Sequence, residues 1–376
     1  MAQMREEKRE RATIRGRIYR ALYESRDFCS KQTLAARCEI SMPTLYQHLR
    51  ELFAAGLVRY TGEGEFTGGR RAQGLEIVPE ARVALGVSIS EHSLRIVAAD
   101  LRLRELAYRS VPYDMVANLP TGGAELARII EEFIEEFSID RGRILGVGVT
   151  IPGLLTADRK RVFFAPTLGL RNVSLNELTQ AFPYRVRVEN DGSASGLAEG
   201  YARGANGNLA YLSLEEGVGG AVLMAGEPYA GDNIRSGEFG HICVEPGGLP
   251  CSCGRNGCLE AYCSSRRIED TFGVSLEEFF EGVAAHDPAY EALLYDMLRH
   301  LALAVNNIHM ALDCDVVLGG FLSEYLQPYL PVLRRYVQSL DAFSEKSDYV
   351  QLSRLRRHIT PLGAALYFIH DFIATI

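Results

Sequence analysis

The chain has 376 residues, a formal net charge of −8 and 47% hydrophobic residues. This length is enough for two or three domains with sizeable cores. No apolar run reaches the ~18 uncharged residues that a membrane span needs, and the first residues alternate both charges without the apolar core of a signal peptide. We therefore expect a cytoplasmic protein without a membrane partner, in which the eight cysteines are mostly reduced.

Charge is unevenly distributed along the chain. Residues 1–82 hold 15 Lys and Arg against 11 Asp and Glu, a balance of +4, so the remaining residues carry −12. A basic head on an acidic body indicates a nucleic-acid-binding module, although a difference of this size also arises by chance.

Three helices are predicted in the basic head. Apolar residues at helical spacing predict a helix over 10–24, and the segment 31–38 predicts a second, short helix. Ser41 is a suitable N-cap for a third helix, with Pro43 in its first turn, and Gly56 would end that helix.

Two short strands follow, at 57–60 and 74–78, joined by a glycine-rich loop. This order predicts a winged helix-turn-helix whose third helix enters the major groove of double-stranded DNA. Side chains of the third helix suit base edges and phosphates, and the loop arginines suit the minor groove or backbone. The predicted DNA contacts are Thr44, Tyr46, Gln47, Arg50, Arg70 and Arg71. A helical protein-interaction domain of the same shape is the alternative, and Glu39 occupies a turn where many such motifs have glycine.

From residue 83 onward, predicted strands alternate with helices, which indicates a layered α/β domain. Polar residues that follow strands mark the usual position of ligand sites in such folds. We therefore divide the chain into a DNA-binding domain with its linker, 1–82, and an effector-binding domain, 83–376.

One histidine and three cysteines stand close together in the spacing His241-x9-Cys251-x-Cys253-x4-Cys258. Three thiolates and one imidazole form the closed tetrahedral set of a structural zinc site. We predict that Zn²⁺ binds here and stabilises a long loop. Because Cys243 and Cys263 lie nearby, the number of cysteines does not fix the ligand set, and a group of buried reduced thiols is the alternative.

Acidic and amide side chains lie in and near this segment and after a predicted strand. Carboxylates accept hydrogen bonds from adjacent hydroxyl groups, so a converging set would suit a polyhydroxylated ligand. Each acid taken alone is better explained as a solvated surface charge, so the prediction depends on convergence. The residues concerned are Asn190, Asp191, Glu238, His241 and Glu260.

The segment "GEFGHICVEPGGLPCSCGRNGCLEAY" resembles the signature of the ROK family, the repressor, open-reading-frame and kinase group. "TGGRR" is similar to the linker of the family's xylose and N-acetylglucosamine repressors. "VENDGSASGLAEG" resembles the family's sugar-binding strand and helix, and "VVLGGFLSE" its late Gly-Gly nucleotide turn.

This resemblance implies a winged helix followed by a two-lobed actin-like, hexokinase-like α/β fold with a zinc loop. It implies zinc ligands at His241, Cys251, Cys253 and Cys258. It also implies sugar contacts at Asn190, Asp191, Glu238, His241 and Glu260. Zinc would fix the His241 ring for the sugar side.

The family includes both kinases and regulators, and the phosphate loops distinguish them. Ser88 stands where the kinases have a magnesium-binding Asp, and Ser90 and Glu91 stand where they have glycines. Glu215 and Glu216 occupy the second phosphate turn. Like charges 4 Å apart cost about 4 kcal/mol at an effective dielectric of ~20, so we expect ATP binding to be lost.

Asp191 occupies the position of the family's catalytic base and would still bond a sugar hydroxyl. Thr167 and Leu170 differ from the Asn and Trp common in the family, so the sugar is not identified. We therefore expect a sugar-responsive transcriptional repressor of carbohydrate-use genes, a homodimer or homotetramer in which lobe movement changes the spacing of two winged helices. The alternatives are a sugar kinase with an accessory DNA-binding domain and a protein-responsive regulator with a vestigial sugar pocket.

Overall fold

The computed structural model describes residues 13–25, 29–63, 73–118, 123–204, 207–343, 346–355 and 357–376. Arg70 and Arg71 lie outside these residues, together with most of the expected wing loop. No helix in the described ranges combines the length and apolar character needed to cross a bilayer.

Within the described residues, the N-terminal head consists of three helices and a hairpin. The helices are α1 (Ile14–Glu24), α2 (Lys31–Arg37) and α3 (Met42–Ala54), and the strands are β1 (Val58–Glu63) and β2 (Gln73–Ile77). The two strands pair antiparallel. The predicted winged helix-turn-helix fold is therefore confirmed.

Local hydrogen bonds define the ends of these helices. The hydroxyl groups of Thr13, Ser30 and Ser41 each accept a bond from the backbone N–H three residues further on. Glu39, in the turn between α2 and α3, has a φ of 51°, the left-handed conformation that glycine favours. The turn thus keeps the expected backbone conformation without a glycine.

The body contains two five-stranded sheets and one three-stranded sheet among the residues described. Its strands are β3 (Val83–Ile89), β4 (Ser93–Asp100), β5 (Glu105–Pro112), β6 (Ile144–Ile151), β7 (Leu154–Leu155), β8 (Arg161–Ala165), β9 (Leu170–Ser174), β10 (Val186–Asn190), β11 (Leu209–Leu214), β12 (Val218–Met224), β13 (Glu227–Pro228), β14 (Asp315–Gly319) and β15 (Val350–Leu352).

The two larger sheets share one topology. The first has the order β10-β6-β3-β4-β5 and the second the order β13-β12-β11-β14-β15. In each sheet, three strands that are consecutive in sequence pair antiparallel. Two further strands extend the sheet on the side of the first of these three, and they run parallel to it. Each sheet is the centre of one lobe, so the predicted two-lobed actin-like α/β fold is confirmed.

The helices of the body cover these sheets. They are α4 (Met115–Asn118), α5 (Ala124–Glu136), α6 (Asn176–Gln180), α7 (Asp191–Arg203), α8 (Glu260–Cys263), α9 (Arg266–Phe272), α10 (Leu276–Ala284), α11 (Pro288–Leu312), α12 (Leu330–Leu340) and α13 (Ile359–Thr375). The C-terminal α13 lies directly on the first sheet, because a Cβ at Gly86 or Gly148 would come within 1.8 Å or 2.1 Å of its backbone.

Helix α7 lies between the lobes. A Cβ at Gly196 would be 2.5 Å from the Cβ of Ala221 in β12, and one at Gly200 would be 2.4 Å from Leu223. On another side, a Cβ at Gly363 of α13 would be 1.9 Å from the carbonyl oxygen of Ala194. Helix α7 therefore contacts the second sheet directly and α13 of the first lobe as well.

Three clusters of buried apolar residues form the core in the part of the chain that the structure describes. Two of them lie within the first and second lobes respectively. The remaining cluster joins the head to the body; its members include Tyr19, Leu22, Leu45, Leu49, Leu197 and Phe368. The division into 1–82 and 83–376 stays a prediction, and this cluster runs across it.

Candidate metal site and interlobe cleft

The four predicted metal ligands converge in the loop after β13. Their ligand atoms, one ring nitrogen of His241 and the sulfurs of Cys251, Cys253 and Cys258, lie within 4.8 Å of one another. Cys251 Sγ is 3.7 Å from His241 Nδ1, and Cys253 Sγ is 3.7 Å from Cys258 Sγ. Tetrahedral zinc with bonds of ~2.3 Å places two sulfurs about 3.8 Å apart, so these residues fit one ion.

The loop that carries these cysteines contains a tight turn at Gly257, and two other cysteines lie outside the cluster. A Cβ at Gly257, which has a φ of 82°, would lie 1.9 Å from the carbonyl oxygen of Glu245, so this tight turn requires glycine. Cys243 is exposed and remains outside the group. Cys263 is buried in the second lobe, where its thiol donates to the Met297 carbonyl at 3.4 Å. The cluster therefore contains His241 and three cysteines and leaves Cys243 and Cys263 outside it, while metal ligation by the four residues stays a prediction.

The surrounding protein alone opposes ionisation of two of these thiols. Burial raises the pKa of the Cys251 thiol to about 12, and burial also raises the pKa of Cys258. A bound metal ion would stabilise the thiolates that metal ligation requires. A metal here would be structural, because three sulfurs and one nitrogen complete a tetrahedral shell without an open position.

His241 separates the metal cluster from the cleft. Its Nδ1 faces Cys251, and its Nε2 lies 4.0 Å from Glu238 Oε2. His241 is the last residue of the short 3₁₀ turn Phe239–His241. A metal on Nδ1 would therefore fix the tautomer that presents Nε2 to the cleft.

Two of the five predicted sugar contacts line one cavity between the lobes, and Asp191, His241 and Glu260 are not among its lining residues. Asn190 and Glu238 line the same cavity. Asp191 is the first residue of α7, directly after Asn190, which N-caps that helix. Glu260 Oε1 is 3.5 Å from Cys251 Sγ, while its Oε2 accepts the backbone N–H of Val218 at 3.1 Å. The structure thus brings the acids together, and sugar contact by each of them stays a prediction.

Two carboxyl groups near this cavity have raised pKa values. Burial, and then the charge of Glu215, raise the pKa of Asp191 to about 7. Burial, and then the charge of Glu260, raise the pKa of Glu238 to about 7. Both groups can therefore donate as well as accept hydrogen bonds near neutral pH.

A second group of charges borders the same cavity and was missed by sequence reasoning. Glu189, which is 4% exposed, lies 2.6 Å from Arg159 Nε and 2.7 Å from Arg187 Nη2. Arg159 and Glu189 both line the cavity. An acid inside a buried strand is a signal that a positively charged partner exists, but the sequence does not indicate which arginine supplies it.

The predicted phosphate loops are occupied by charged side chains. Ser88 is buried, and Arg95 Nη2 donates to its hydroxyl at 3.4 Å. Glu215 reaches the same region from the second lobe: burial raises its pKa, and the charge of Arg95 opposes that rise. A Cβ at Gly320 would lie 2.8 Å from Cγ of Glu215, so this side chain covers the late Gly-Gly turn. Glu216 is exposed.

Four other residues depart from the family pattern, and each has its own surroundings in the structure. Glu91 accepts a bond from Arg266 Nη2 at 3.1 Å, which links the two lobes. Ser90 bonds Ser93 within the β3–β4 turn. Leu170 is buried in the core of the first lobe. The Thr167 hydroxyl is buried without a hydrogen-bond partner among the described residues.

Three predicted DNA contacts lie exposed on α3. Tyr46 is 50% exposed, and Gln47 and Arg50 are also exposed. Thr44 differs, because its hydroxyl lies 2.8 Å from that of the N-cap Ser41. DNA contact by these residues stays a prediction.

Comparison with known proteins identifies the family. A profile of the ROK family matches residues 85–370, and a helix-turn-helix domain profile matches residues 14–61. The chain belongs to the ROK family. The family resemblance carried by the histidine and cysteine segment is therefore confirmed.

The relatives of this ROK protein include regulators and kinases. It is 29% identical over 341 residues to the DNA-binding transcriptional dual regulator NagC of Escherichia coli K12, covering 84% of this chain and 82% of that one. A crystal structure of a ROK family transcriptional regulator, a homolog of the E. coli MLC protein, superposes with a TM-score of 0.76 and 23% identity over 96% of both chains. The ROK hexokinase from Thermus thermophilus gives a TM-score of 0.60 with 28% identity over 77% of this chain and 99% of that one.

Proposed function

We propose that this ROK protein is a sugar-responsive transcriptional regulator of carbohydrate-use genes that binds double-stranded DNA and acts as a repressor. The observation that carries the proposal is the combination of a winged helix-turn-helix head with a ROK body whose phosphate loops are filled by charged side chains. The relative NagC, named as a DNA-binding transcriptional dual regulator, supports the same assignment.

The DNA-binding surface is the exposed side of α3. Gln47 can hydrogen-bond base edges, and Arg50 can contact phosphates. Lys31 lies 5.1 Å from the ring centre of Tyr46 and 5.0 Å from that of Tyr60, so a cation and two rings border this surface. A repressor of this architecture acts as a homodimer or homotetramer, because paired heads read paired half-sites.

The effector is a sugar or sugar derivative held by the carboxyl groups of the cleft. The cavity lined by Asn190 and Glu238 encloses about 40 Å³, which suffices for a few water molecules. A sugar therefore enters after the lobes separate, so ligand binding is coupled to lobe movement. Differential affinity for the two lobe arrangements is the condition for regulation.

Glu215 lies against the Gly-Gly turn and beside Arg95, so a triphosphate would meet an acid there. We assign the protein as a regulator without kinase activity, located in the cytoplasm. We assign Zn²⁺ as the ion held by His241 and the three cysteines, because sulfur-rich tetrahedral sets favour zinc.

DNA recognition is tested with duplexes enriched by selection from a random pool. Gln47→Ala is expected to change the selected sequence, because a contact to base edges is lost. Arg50→Ala is expected to weaken binding to all sequences and to reduce the salt slope by about 1. Arg299 is an exposed arginine of α11. Arg299→Ala is the matched control, and it should leave the selected sequence, the affinity and the salt slope unchanged. Wild-type protein that selects no sequence would exclude the DNA-binding function.

Sugar recognition and kinase activity are separated by two measurements. Calorimetry against hexoses, xylose and N-acetylhexosamines should detect binding that Asp191→Ala weakens. A coupled assay for ADP with the same sugars should detect no turnover. Turnover that Asp191→Ala abolishes would establish the kinase alternative. Absence of measurable binding to every sugar in the calorimetric experiment would favour the protein-responsive alternative.

A further inference from the structure

Helix α7 links the interlobe cleft to the DNA-binding head. Its N-cap Asn190 lines the cleft, and its thirteen residues extend about 20 Å at 1.5 Å per residue. In the last turn, the hydroxyl of Tyr201 is 2.8 Å from the hydroxyl of Tyr23, near the end of α1 in the head. Two residues far apart in sequence thus form a polar contact where the body meets the head.

Arg102 fixes the end of α1 that carries Tyr23. This residue follows β4 in the first lobe and donates to the carbonyl oxygens of Leu22 at 3.4 Å and Ser25 at 3.2 Å, and also to that of Tyr23. Its guanidinium lies 5.0 Å from the Tyr23 ring centre. The last carbonyls of a helix have no partner within the helix, so Arg102 supplies one from the body.

The other end of α1 is held by the C-terminal helix. Thr13 Oγ1 donates to the carbonyl oxygen of Ile376 at 3.1 Å. The rings of Tyr19 and Phe372 meet edge to face with centres 6.2 Å apart. Because α1 is held along its length, the head moves with the body elements that hold it.

Helix α7 can act as one rigid unit. Ser195 in its middle bonds Thr360 of α13 at 3.0 Å, and the buried Glu199 pairs with Arg203. On the opposite side, Gly196 and Gly200 bring α7 into direct contact with β12 of the second lobe. A change in the position of the second lobe is therefore transmitted along α7 to Tyr201.

We propose that Tyr201 and Tyr23 are positioning residues that transmit the state of the interlobe cleft to the DNA-binding head through α7. The proposal rests on the proposed function, in which the cleft binds the effector. Displacement of Tyr201 shifts α1, and α1 shares a hydrophobic cluster with Leu45 and Leu49 of α3. The head thus changes orientation within one subunit, in addition to any change of spacing between subunits.

The test perturbs the cleft end of α7 and reads the head end, so it requires neither operator nor sugar. At pH 8, above the pKa of about 7 of this carboxyl, Asp191→Asn removes a charge that faces Glu215 and Glu238 of the second lobe. Hydrogen exchange of the full chain is measured for peptides of α1, with the second-lobe helix α11 as the reference for global unfolding. We expect Asp191→Asn to change exchange in α1 relative to α11 by about threefold or more, since an opening free-energy change of 0.7 kcal/mol has this effect.

The decisive comparison places the same substitution in a Tyr201→Phe background. In the Tyr201→Phe background we expect the change in α1 exchange to disappear. In a Tyr349→Phe background we expect it to persist, because that substitution removes a hydroxyl that bonds Asp341 at 3.3 Å in the second lobe. A response of equal size in Tyr201→Phe, or no response in the wild-type background, would overturn the proposal. Tyr201→Phe removes one oxygen atom, and unchanged exchange in α11 would show that the fold is intact.

The same variants separate this inference from the proposed function. If N-acetylglucosamine, xylose and selected DNA all fail to bind the wild-type chain while the Tyr201-dependent response persists, the function is wrong and the link through α7 stands. If sugar and DNA bind but Tyr201→Phe leaves the effect of sugar on DNA affinity unchanged, the function stands and the link is wrong.

Discussion

Glu199 and Arg203 form an ion pair in the interior of the protein. Arg203 Nε donates to Glu199 Oε1 at 2.6 Å, and the two side chains are 9% and 0% exposed. The carboxylate also accepts bonds from the Ser353 hydroxyl at 2.6 Å and the Arg354 backbone N–H at 3.0 Å. One buried acid thereby joins α7 to the segment before α13.

Glu199→Ala is expected to lower the free energy of unfolding by about 3–5 kcal/mol, because it leaves a buried guanidinium without its carboxylate partner. Urea denaturation followed by circular dichroism measures this loss. Glu125→Ala is the matched control: Glu125 pairs with Arg128 on the exposed side of α5, and loss of such a pair costs about 1 kcal/mol or less. Equal losses in the two variants would contradict the structural role of Glu199.

Asp191 is expected to make stability depend on pH. Its pKa is about 7 in the folded chain against an ordinary 3.8. Between these values the unfolded chain has lost the proton and the folded chain keeps it, so stability falls as pH rises from 4 to 7 and levels off above. Asp191→Asn should therefore stabilise the protein at pH 8 by up to about 4 kcal/mol relative to its effect at pH 4.

Thermal unfolding at both pH values measures the effect of Asp191. Glu215 and Glu238 have raised pKa values as well, so part of the pH slope should remain in the variant. Gly207→Ala is the control, because it changes no titratable group and its added methyl meets open space, so its effect should be the same at either pH. A pH-independent effect of Asp191→Asn would show that folding does not raise the pKa of this carboxyl.

Metal content is expected to depend on Cys258 and not on Cys243. Cys258→Ser should lose the metal and about 4 kcal/mol of stability, because loss of a structural metal is among the largest single effects. Cys243→Ser, at an exposed thiol outside the cluster, should retain about one zinc ion per chain. Elemental analysis of the purified protein and thermal unfolding measure both, and equal metal content in the two variants would refute the assigned ligand set.

Close contact of the lobes is expected to depend on Gly196. Gly196→Ala places a methyl group 2.5 Å from the Cβ of Ala221, and such overpacking costs about 1–3 kcal/mol. Alanine otherwise favours a helix over glycine by about 1 kcal/mol, so destabilisation would identify the interlobe contact as its cause. Gly207→Ala, where the added methyl meets open space, should unfold like the wild type in the same denaturation experiment.

Several features of the fold could be predicted because they depend on neighbours in sequence. The hydroxyl N-cap at Ser41 and the periodic leucines of α3 act within a few residues, so the head could be described from its sequence. The strand and helix order of the body likewise indicated its α/β class. The close spacing of the histidine and cysteines allowed the metal cluster to be predicted for the same reason.

Contacts between distant segments were decided by the tertiary structure. No local pattern pairs Glu189 with Arg159, places Arg95 beside Ser88, or joins Tyr23 to Tyr201 across 178 positions. Each of these depends on how sheets and helices pack, and packing energies are summed over many weak contacts that local patterns do not encode. The sequence by itself determined the family, the local elements and the chemistry available; the packing of the two lobes decided which of these groups meet.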